Sequence, residues 1–363
     1  MLRIAIAGGG TGGHLYPGIA VAREAVRAGG SVIFIGTRDG IETRVLPREG
    51  FELKTIRAGR FKGMGMVDKI KALILIPAGI AASMRVLREF GPKVVLGVGG
   101  YASLSAALAA KLTGVPVVVQ EQNAYPGLTN RVLGRLADKV ALGFAEASGF
   151  FPAGRSVHTG NPVRAELKDA GRAGSIKAFG LKEDRTTVLV FGGSGGSHSI
   201  NRAVTEALGL MGELADKIQF IHQTGEKDLA RVEDAYGKSG FTAAVLPFIY
   251  DMAAAYACAD LVVCRSGALT IAELTVLGKP SVLVPYPYAA NNHQEANARV
   301  LEAAGAARVA LDRELTGVRM AAEISGLALD RNTLSGMAGR CFSLGRPDAA
   351  ARVLDICRSV SSA

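Results

Sequence analysis

A short apolar run that ends in a cluster of glycines occurs twice in this sequence, and a helical pattern follows each time. Residues 3–7 (RIAIA) lead into GGGTGGH at 8–14, and residues 187–191 (TVLVF) lead into GGSGGS at 192–197. Such runs are typical of strands buried on both faces of a parallel α/β sheet. The chain has 363 residues, enough for two domains of ordinary size. The repeat therefore predicts two Rossmann-like domains that face each other across a cleft.

A polar segment rich in proline and glycine separates the two repeats. It covers 151–154 (FPAG) and 159–164 (TGNPVR). Domain boundaries fall in segments of this composition. We predict a first domain over 1–163 and a second over 164–340, with a terminal helix at about 341–363 that packs back on the first domain.

The second repeat contains a further strand–turn–helix unit that is suited to bind an anion. Residues 261–264 (LVVC) predict a strand, Ser266-Gly267 predicts a turn and an N-cap, and Gly278 predicts a helix end. The unpaired amides of 268–270 would then face a phosphate or pyrophosphate. Glu273, one turn further, would accept hydrogen bonds from the diol of a sugar on that phosphate. The same spacing also occurs in α/β proteins as a purely structural unit.

The first glycine cluster leaves a second interpretation open. Gly8, Gly10 and Gly13 satisfy the G-x-G-x-x-G pattern of dinucleotide-binding domains. The next predicted strand, 31–35, lacks a following acidic residue for the ribose of NAD, but it is followed by Arg38, which suits NADP. An NADP-dependent oxidoreductase therefore remains an alternative.

Positive charge is concentrated in the first half of the chain. Residues 1–164 contain 21 Lys and Arg against 10 Asp and Glu, whereas residues 165–363 contain 21 against 22. A basic domain favours an anionic partner, either a phosphate-bearing substrate, nucleic acid or a membrane surface. Trp is absent and aromatic residues make up only 6% of the chain, which argues against nucleic acid bound by base stacking.

The cysteines indicate a reduced protein without a zinc site. The four of them, at 258, 264, 341 and 357, form no CxxC pair. We expect no metal and no cofactor. Residues 1–7 are too short for a signal peptide and lack its charge pattern, and the first predicted strand begins within them.

An apolar helix is predicted between residues 64 and 90. Its uninterrupted apolar stretch, 72–84, contains Pro77 and is shorter than the roughly 20 residues that cross a membrane. Cations precede and follow it at Lys62, Lys69, Lys71, Arg85 and Arg88. Either the helix is buried in the core, or residues such as Leu73, Ile76 and Ile80 form an interfacial patch on an anionic membrane.

Several segments, taken together and in order, resemble the MurG family of glycosyltransferases. They are GGTGGH at 9–14, GGY at 99–101, EQN at 121–123, GNPVR at 160–164, GGS at 192–194 with IN at 200–201, and CRSGALT at 264–270 with Glu273. The resemblance implies a GT-B fold and an inverting transfer of GlcNAc from UDP-GlcNAc to the MurNAc 4-hydroxyl of undecaprenyl-pyrophosphoryl-MurNAc-pentapeptide (lipid I). The products would be lipid II and UDP, in peptidoglycan synthesis. Another UDP-sugar-dependent GT-B transferase, or a sugar-nucleotide sensor without activity, stays open.

The resemblance also implies a set of substrate contacts. The residues that would meet the donor or its phosphates are Thr11, Gly12, Gly13, Asn123, Arg164, Ser194, Ile249 (uracil, through its backbone), Ala268, Leu269, Thr270, Ile271, Ala272, Glu273 (ribose) and Gln294 (GlcNAc). The chain departs from the family pattern at Gly195, where Gln is usual, and at Asn291-Asn292, where acidic residues are usual. These departures affect contacts near the sugar.

Direct displacement of UDP needs a base near the acceptor hydroxyl. His14 follows the first glycine cluster and titrates near neutral pH, so it is the candidate base, with Glu121 second. A role for His14 in capping the helix or orienting the donor is the alternative. No DxD motif is present for a metal. The resemblance further implies a peripheral protein on the cytoplasmic face of the plasma membrane, with cell-wall synthesis or division proteins as partners and no nucleic acid.

Overall fold

Two compact units divide the chain. The computed structural model describes residues 1–56 and 66–362, and the side chains of 1–56 and 76–362. The first unit contains Met1–Arg164 and Arg346–Ala363, and the second contains Ala165–Gly345. The division lies one residue after the predicted boundary. The return to the first unit starts at Arg346 instead of about residue 341, because a helix of the second unit continues to Ser343.

The first unit is a parallel sheet covered by helices. Its strands are β1 (Arg3–Gly8), β2 (Ser31–Thr37), β3 (Leu53–Ile56), β4 (Val94–Gly99), β5 (Val117–Glu121), β6 (Lys139–Leu142) and β7 (Ser156–His158). Its first helices are α1 (Gly12–Arg27), α2 (Glu42–Val45), α3 (Met66–Phe90), α4 (Tyr101–Leu112) and α5 (Leu128–Leu136). The strand order is β3-β2-β1-β4-β5-β6-β7, and every pair is parallel.

Both faces of this sheet are buried, as the apolar runs of the sequence predict. On β1, Ala5 and Ala7 pack with α4, whereas Ile4 and Ile6 pack with α1. Successive residues of a strand point to opposite faces of the sheet. A strand that is covered on both faces therefore carries apolar residues at successive positions.

The second unit repeats this architecture. Its elements in chain order are α6 (Arg172–Ala178), β8 (Thr186–Phe191), α7 (His198–Leu210), β9 (Ile218–Gln223), α8 (Leu229–Ser239), β10 (Thr242–Leu246), α9 (Met252–Cys258), β11 (Leu261–Cys264), α10 (Ala268–Leu277), β12 (Ser281–Leu283), α11 (His293–Ala303), β13 (Ala307–Val309), α12 (Gly317–Ala328) and α13 (Arg331–Ser343). The strand order is β10-β9-β8-β11-β12-β13, again all parallel.

Each sheet has one point at which its strand order reverses. In the first unit it lies between β1 and β4, and in the second between β8 and β11. Ligands of open α/β sheets bind at the carboxyl ends of the strands next to such a point. The two glycine clusters follow β1 and β8, and the predicted anion-binding helix α10 follows β11. The fold therefore brings the sequence motifs to the expected edge of each sheet.

The last helix, α14 (Ala349–Ser361), belongs to the first unit. Val353, Leu354 and Cys357 on this helix are buried in the core that also contains the inner face of α1. All four cysteines of the chain are free and buried. In the part of the chain that the structure describes, no helix combines the length and the apolar character that crossing a bilayer requires.

A buried polar cluster connects α7 to the chain that follows β9. His222 on β9 is fully buried, with Nε2 3.0 Å from the Asn201 side-chain oxygen and Nδ1 3.2 Å from the Tyr236 hydroxyl. Asn201 donates hydrogen bonds of 2.8 Å to the Thr224 carbonyl and to the Asp228 carboxylate. The second glycine cluster lies directly before α7. The hydrogen bonds of Asn201 and His222 therefore fix the end of that glycine loop.

Burial makes His222 sensitive to acid. Desolvation lowers its pKa from 6.5 to about 3, with a small opposing effect from Asp228. In the unfolded chain the imidazole binds a proton near pH 6.5, but in the folded protein it does not. Falling pH therefore favours the unfolded state from about pH 6.5 downwards, and this contribution ends near pH 3.

We predict that His222→Gln reduces the acid sensitivity of the free energy of unfolding. Between pH 6.5 and 5 the parent should lose about 2 kcal/mol through this group, at about 1.4 kcal/mol per pH unit. Urea unfolding at several pH values measures the difference between parent and variant. At pH 8 the side chain is neutral in both proteins, so the difference there reports the packing change alone. A difference that stays constant from pH 8 to 5 would contradict a neutral buried His222.

Candidate functional site

In the first unit, the glycine clusters after β1 and β4 are in backbone contact. A Cβ added at Gly8 would lie 2.5 Å from the Gly99 carbonyl oxygen, and one at Gly100 would lie 3.0 Å from the Gly9 carbonyl oxygen. All four residues have positive φ angles, which favour glycine. Glycine is therefore required here for close approach of two loops at the switch point.

His14 lies on this double loop, in the first turn of α1. The side-chain hydroxyl of Thr11, which is the N-cap residue of α1, lies 3.2 Å from His14 Nδ1. A Cβ added at Gly99 would lie 2.8 Å from His14 Cδ2, so the imidazole rests against the second loop. Thr11 and Gly13 are exposed, and Gly12 and His14 are partly exposed. The candidate base is thus held in place by both loops and is reachable from outside the unit.

Arg164 lies beside the same helix. Its guanidinium carbon is 5.6 Å from the centre of the Tyr16 ring, and a Cβ added at Gly12 would lie 3.3 Å from that ring. The preceding segment is fixed by Asn161, which accepts a hydrogen bond from Gln120 and donates one to the Gln122 carbonyl, both at 2.8 Å. The structure therefore brings Arg164 close to the first glycine cluster, as a cation at the same edge of the sheet.

Glu121 is buried and forms hydrogen bonds within its own loop. Its carboxylate accepts from the amides of Asn123 (2.8 Å) and Gly127 (3.2 Å) and from the side chain of Asn130 (2.9 Å). Burial raises the pKa of Glu121, and these hydrogen bonds oppose that shift. The carboxylate shapes the loop that carries Asn123, whose side chain also donates to Glu121. This arrangement favours a structural role for Glu121 over that of a base.

In the second unit, α10 begins with its first amides open. Gly267 is the N-cap residue, and no side chain caps the helix. The hydroxyl of Ser266 donates instead to the Gln294 carbonyl, at 2.8 Å. Among the described residues, none accepts a hydrogen bond from the amides of 268–270. Ala268, Ile271 and Ala272 are all buried, and the Ile271 amide donates to the Gly267 carbonyl, so a ligand at this helix end would meet the amides of 268–270 and not that of Ile271.

Glu273 is held by a residue that sequence reasoning did not identify. Its side chain is 6% exposed, and the Tyr256 hydroxyl donates to one carboxylate oxygen at 3.0 Å. Tyr256 is itself fully buried on α9. A carboxylate oriented in this way, one turn inside a helix, suits a neutral hydroxyl ligand better than an anion.

The second glycine cluster exposes its tip. Ser194 and Gly195 are exposed, whereas Ser197 at the end of the loop is buried. The side chain of Gln223, at the end of β9, donates to the Gly193 carbonyl at 2.7 Å and accepts from the Ile249 amide at 3.1 Å. Gln223 thus links the loop to Ile249, the residue expected to contact uracil. In this structure the amide of Ile249 already donates its hydrogen bond to Gln223.

Arg265 joins three loops of the second unit. Its guanidinium donates to the side chains of Ser197 and Ser199, to the carbonyls of Val284 and Pro285, and to Asp312 at 2.6 Å. Ser199 donates to the same carboxylate oxygen of Asp312. Arg265 therefore has a structural role at the switch point, although its position directly after a buried strand also suits a phosphate ligand.

Gln294 lies in the first turn of α11, and the two asparagines directly precede that helix. The Gln294 side-chain oxygen accepts a hydrogen bond from the Tyr286 amide at 2.9 Å. Asn291 and Asn292 both have left-handed backbone angles. Apart from glycine, asparagine is one of the few residues that adopt these angles readily. The departure from the family pattern at these positions is thus compatible with a tight turn next to Gln294.

The predicted contacts fall into two groups, one in each unit. Thr11, Gly12, Gly13, His14, Glu121, Asn123 and Arg164 belong to the first unit, and Ser194, Ile249, Ala268–Glu273 and Gln294 belong to the second. Sequence reasoning assigned no role to Tyr256, Gln223 or Arg265. The position of Arg265 after a predicted strand was the one available signal.

Comparison with known proteins places the chain among sugar-nucleotide enzymes. Residues 4–142 match the glycosyltransferase family 28 N-terminal domain, and residues 187–353 match the C-terminal domain of the same family. A UDP-N-acetylglucosamine--N-acetylmuramyl-(pentapeptide) pyrophosphoryl-undecaprenol N-acetylglucosamine transferase of Myxococcus xanthus is 46% identical over 98% of this chain and 92% of its own length. The enzyme of the same name from Syntrophus aciditrophicus is 44% identical over 99% of both chains. The crystal structure of Acinetobacter baumannii MurG superposes with a TM-score of 0.81 at 31% identity, covering 99% of this chain and 100% of that one.

Proposed function

The chain belongs to glycosyltransferase family 28, in its MurG branch, and from that membership we propose that it transfers N-acetylglucosamine from UDP-N-acetylglucosamine to the 4-hydroxyl of MurNAc in lipid I. The products are lipid II and UDP. Family membership confirms both the resemblance found in the sequence motifs and the GT-B fold class.

The observation that carries the donor assignment is the N-terminus of α10. Three open amides at the positive end of the helix dipole can hold the diphosphate, and Glu273 lies one turn further along the same helix. A nucleoside diphosphate carries both the phosphates that such amides hold and a ribose diol that a carboxylate accepts hydrogen bonds from. We therefore assign UDP-N-acetylglucosamine to the second unit, with Ser194, Ile249 and Gln294 as further contacts.

The first unit then supplies the acceptor site and the base. The acceptor hydroxyl attacks the anomeric carbon, the bond from that carbon to the UDP oxygen breaks with its electron pair, and the configuration at the carbon inverts. The hydroxyl proton passes to His14. If His14 carries its own proton on Nδ1, it donates to the Thr11 hydroxyl, and Nε2 accepts the proton of the substrate. The amides at the N-terminus of α10 stabilise the leaving diphosphate.

Two alternatives lose support. An NADP-dependent oxidoreductase would use the first glycine loop for a pyrophosphate, but the Gly10 amide in that loop is already bonded to the buried carboxylate of Glu42. An inactive sugar-nucleotide sensor would have no need for the His14 arrangement. Another sugar acceptor is the remaining alternative, and the names of the relatives, which specify N-acetylmuramyl-(pentapeptide) pyrophosphoryl-undecaprenol, argue against it.

A lipid-linked acceptor implies a membrane surface, and the first unit is suited to one. It has 24 Lys and Arg against 12 Asp and Glu, whereas the second unit has 18 against 20. On α3, Ile76 and Ile80 are partly exposed, Pro77 is exposed, and Arg85 and Arg88 are exposed. The side chain of Leu73, predicted to belong to the same patch, lies outside the described residues, as do those of Lys62, Lys69 and Lys71.

A second apolar strip lies on α5. Leu128, Val132 and Leu136 are four residues apart, so they share one face of the helix, and they are 65%, 45% and 45% exposed. Arg131 and Arg135 lie next to this strip. Both α3 and α5 pack on the face of the sheet that α4 covers. We propose that these helices rest on an anionic membrane, which gives the protein a peripheral location on the membrane that holds the acceptor, at its cytoplasmic face.

We predict that Glu273→Ala weakens binding of UDP-N-acetylglucosamine by about 1–3 kcal/mol, because a charge-assisted hydrogen bond to the ribose is lost. Isothermal titration calorimetry measures the dissociation constant directly. Tyr256→Phe should have a smaller effect, since it removes only the group that orients Glu273. Glu302→Ala is the matched control, because Glu302 pairs with Arg299 on the surface of the same unit. An unchanged affinity in Glu273→Ala would remove Glu273 from the site.

The base assignment predicts that His14→Ala lowers the turnover number by about 10²-fold or more and leaves the affinity for UDP within about twofold of the parent. The reason is that His14 acts on the acceptor hydroxyl and not on the nucleotide. His158→Ala serves as control, since His158 lies on β7 at the far edge of the same sheet. If UDP affinity falls together with turnover, His14 is a donor-binding residue and the base lies elsewhere.

For the membrane surface, we predict that the protein sediments with phosphatidylglycerol vesicles and not with phosphatidylcholine vesicles. High salt should release it, because screening removes the roughly 1 kcal/mol that each cation near the surface contributes. Leu128→Ser/Leu136→Ser, and separately Ile76→Ser, should lower the bound fraction with little change in melting temperature. Ile80 is left unchanged because it packs against the core of the unit.

The matched control is Leu210→Ser, which removes a leucine that is 60% exposed on the second unit. It should bind vesicles like the parent. A drop in melting temperature by Ile76→Ser would show that Ile76, like Ile80, packs against the core, which is the other interpretation of that helix. Equal binding to both kinds of vesicle would contradict the role of the cations.

A further inference from the structure

A buried carboxylate lies beneath the first glycine loop. Glu42, the first residue of α2, is completely buried. One of its oxygens accepts a hydrogen bond from the Gly10 amide at 2.8 Å. The other accepts from the Thr37 amide at 2.8 Å and from the Thr37 hydroxyl at 2.9 Å. Glu42 thus ties the loop after β1 to the end of β2.

The surroundings of Glu42 are shaped to admit a carboxylate. A Cβ added at Gly9 would lie 2.5 Å from its Cδ, and one at Gly36 would lie 2.7 Å from its Cγ. A Cβ at Gly40 would overlap the carboxylate as well. Three glycines from three segments therefore make room for one side chain, which indicates that its position is tightly defined.

The carboxylate is stabilised by hydrogen bonds and not by a cation. Among the described residues, Glu42 forms no ion pair with Lys, Arg or His. A buried carboxylate loses its hydration, so each donated hydrogen bond matters to its stability. Removing one acceptor would leave the Gly10 amide or the groups of Thr37 unpaired inside the protein.

The geometry points to Glu42 as a positioning residue for His14, an inference that rests on the proposed role of His14 as base. Gly10 precedes Thr11, whose carbonyl accepts from the His14 amide at 3.2 Å and whose hydroxyl contacts the imidazole. The loop anchored by Glu42 also contacts Gly99, against which the imidazole rests. Glu42 does not touch the substrate in this arrangement. It fixes the backbone from which the base projects.

Glu42→Gln tests this inference with minimal change of shape. An amide has one oxygen, whereas the carboxylate accepts hydrogen bonds at both oxygens, so the NH₂ group of Gln must face either the Gly10 amide or the Thr37 amide. We expect the turnover number to fall about 10-fold or more, because displacement of a catalytic group by about 1 Å costs up to 10²-fold. The KM for UDP-N-acetylglucosamine should rise much less than the turnover number falls, since the contacts that carry the donor assignment, those of α10, lie in the second unit.

Glu323→Gln is the matched control. Glu323 is a buried carboxylate of the second unit that pairs with Arg308 and Arg319. Its replacement removes a buried charge without affecting the first glycine loop, so turnover should remain that of the parent. Melting temperatures of both variants ensure that the assays compare folded proteins.

A double-mutant cycle shows whether Glu42 acts through His14. If it does, Glu42→Gln/His14→Ala should turn over at the rate of His14→Ala, because the group that Glu42 positions is gone. A further loss of about 10-fold in the double variant would overturn the inference. A Glu42→Gln protein that turns over like the Glu323→Gln control would also overturn it. So would a Glu42→Gln protein whose KM for the donor rises by the same factor as its turnover number falls.

The failure of the proposed function gives a different result. If His14→Ala turns over like the parent, the base assignment is wrong, and the inference about Glu42 fails with it. If His14→Ala is impaired and Glu42→Gln is not, only the role of Glu42 fails. Hydrogen exchange of the segment 8–14 needs no turnover: it should be faster in Glu42→Gln than in the parent, and unchanged exchange would show that Glu42 does not hold this loop.

Discussion

The reversal of strand order in the middle of each sheet is the constraint on which both candidate sites depend. Two neighbouring parallel strands there send their connections to opposite faces, so two loops begin side by side at the same edge. In the first unit they approach so closely that Gly8 meets Gly99. Only glycine allows this approach, and the approach in turn fixes the start of α1 and the imidazole of His14. A similar pair of loops in the second unit places the N-terminus of α10 next to the second glycine cluster.

Each of these loop pairs is held by a charged side chain, and the two charges are opposite. Glu42 holds the loop of the first unit, whereas Arg265, whose side chain is 12% exposed, holds that of the second. A buried carboxylate disfavours a phosphate in its vicinity, whereas the charge of Arg265 is balanced by Asp312 at 2.6 Å and the helix N-terminus of α10 beside it favours a phosphate. Two domains of the same topology are thereby suited to different ligands. This agrees with our proposal that the second unit binds the nucleotide and the first supplies the base.

Much of the fold could be predicted from the sequence because it depends on local patterns. Apolar runs, glycine clusters and the helix end at Gly278 are short-range signals, and the predicted pair of parallel-sheet domains is confirmed. The contacts that hold the sites are long-range. Glu42 and Gly10 are 32 residues apart, and Arg265 and Ser197 are 68 apart. No periodicity links such residues, so the carboxylate beneath the first loop could not be identified, and Ser266 resembled a helix cap although its hydroxyl contacts Gln294.

The net charge of a domain and the charge at its site are separate properties, and the first unit demonstrates the difference. Net charge acts through water over a range of about 8 Å at physiological salt, so it governs how the surface meets other large charged surfaces. The ligand preference of a loop is decided by groups a few ångströms away in a medium of low dielectric constant, where one carboxylate outweighs many distant lysines and arginines. The excess of positive charge in residues 1–164 suggested a phosphate-bearing substrate and a membrane equally well. With Glu42 beneath the glycine loop and exposed cations beside apolar residues on α3 and α5, the positive charge agrees better with our proposal of a lipid surface than with a phosphate held by the Gly10 amide.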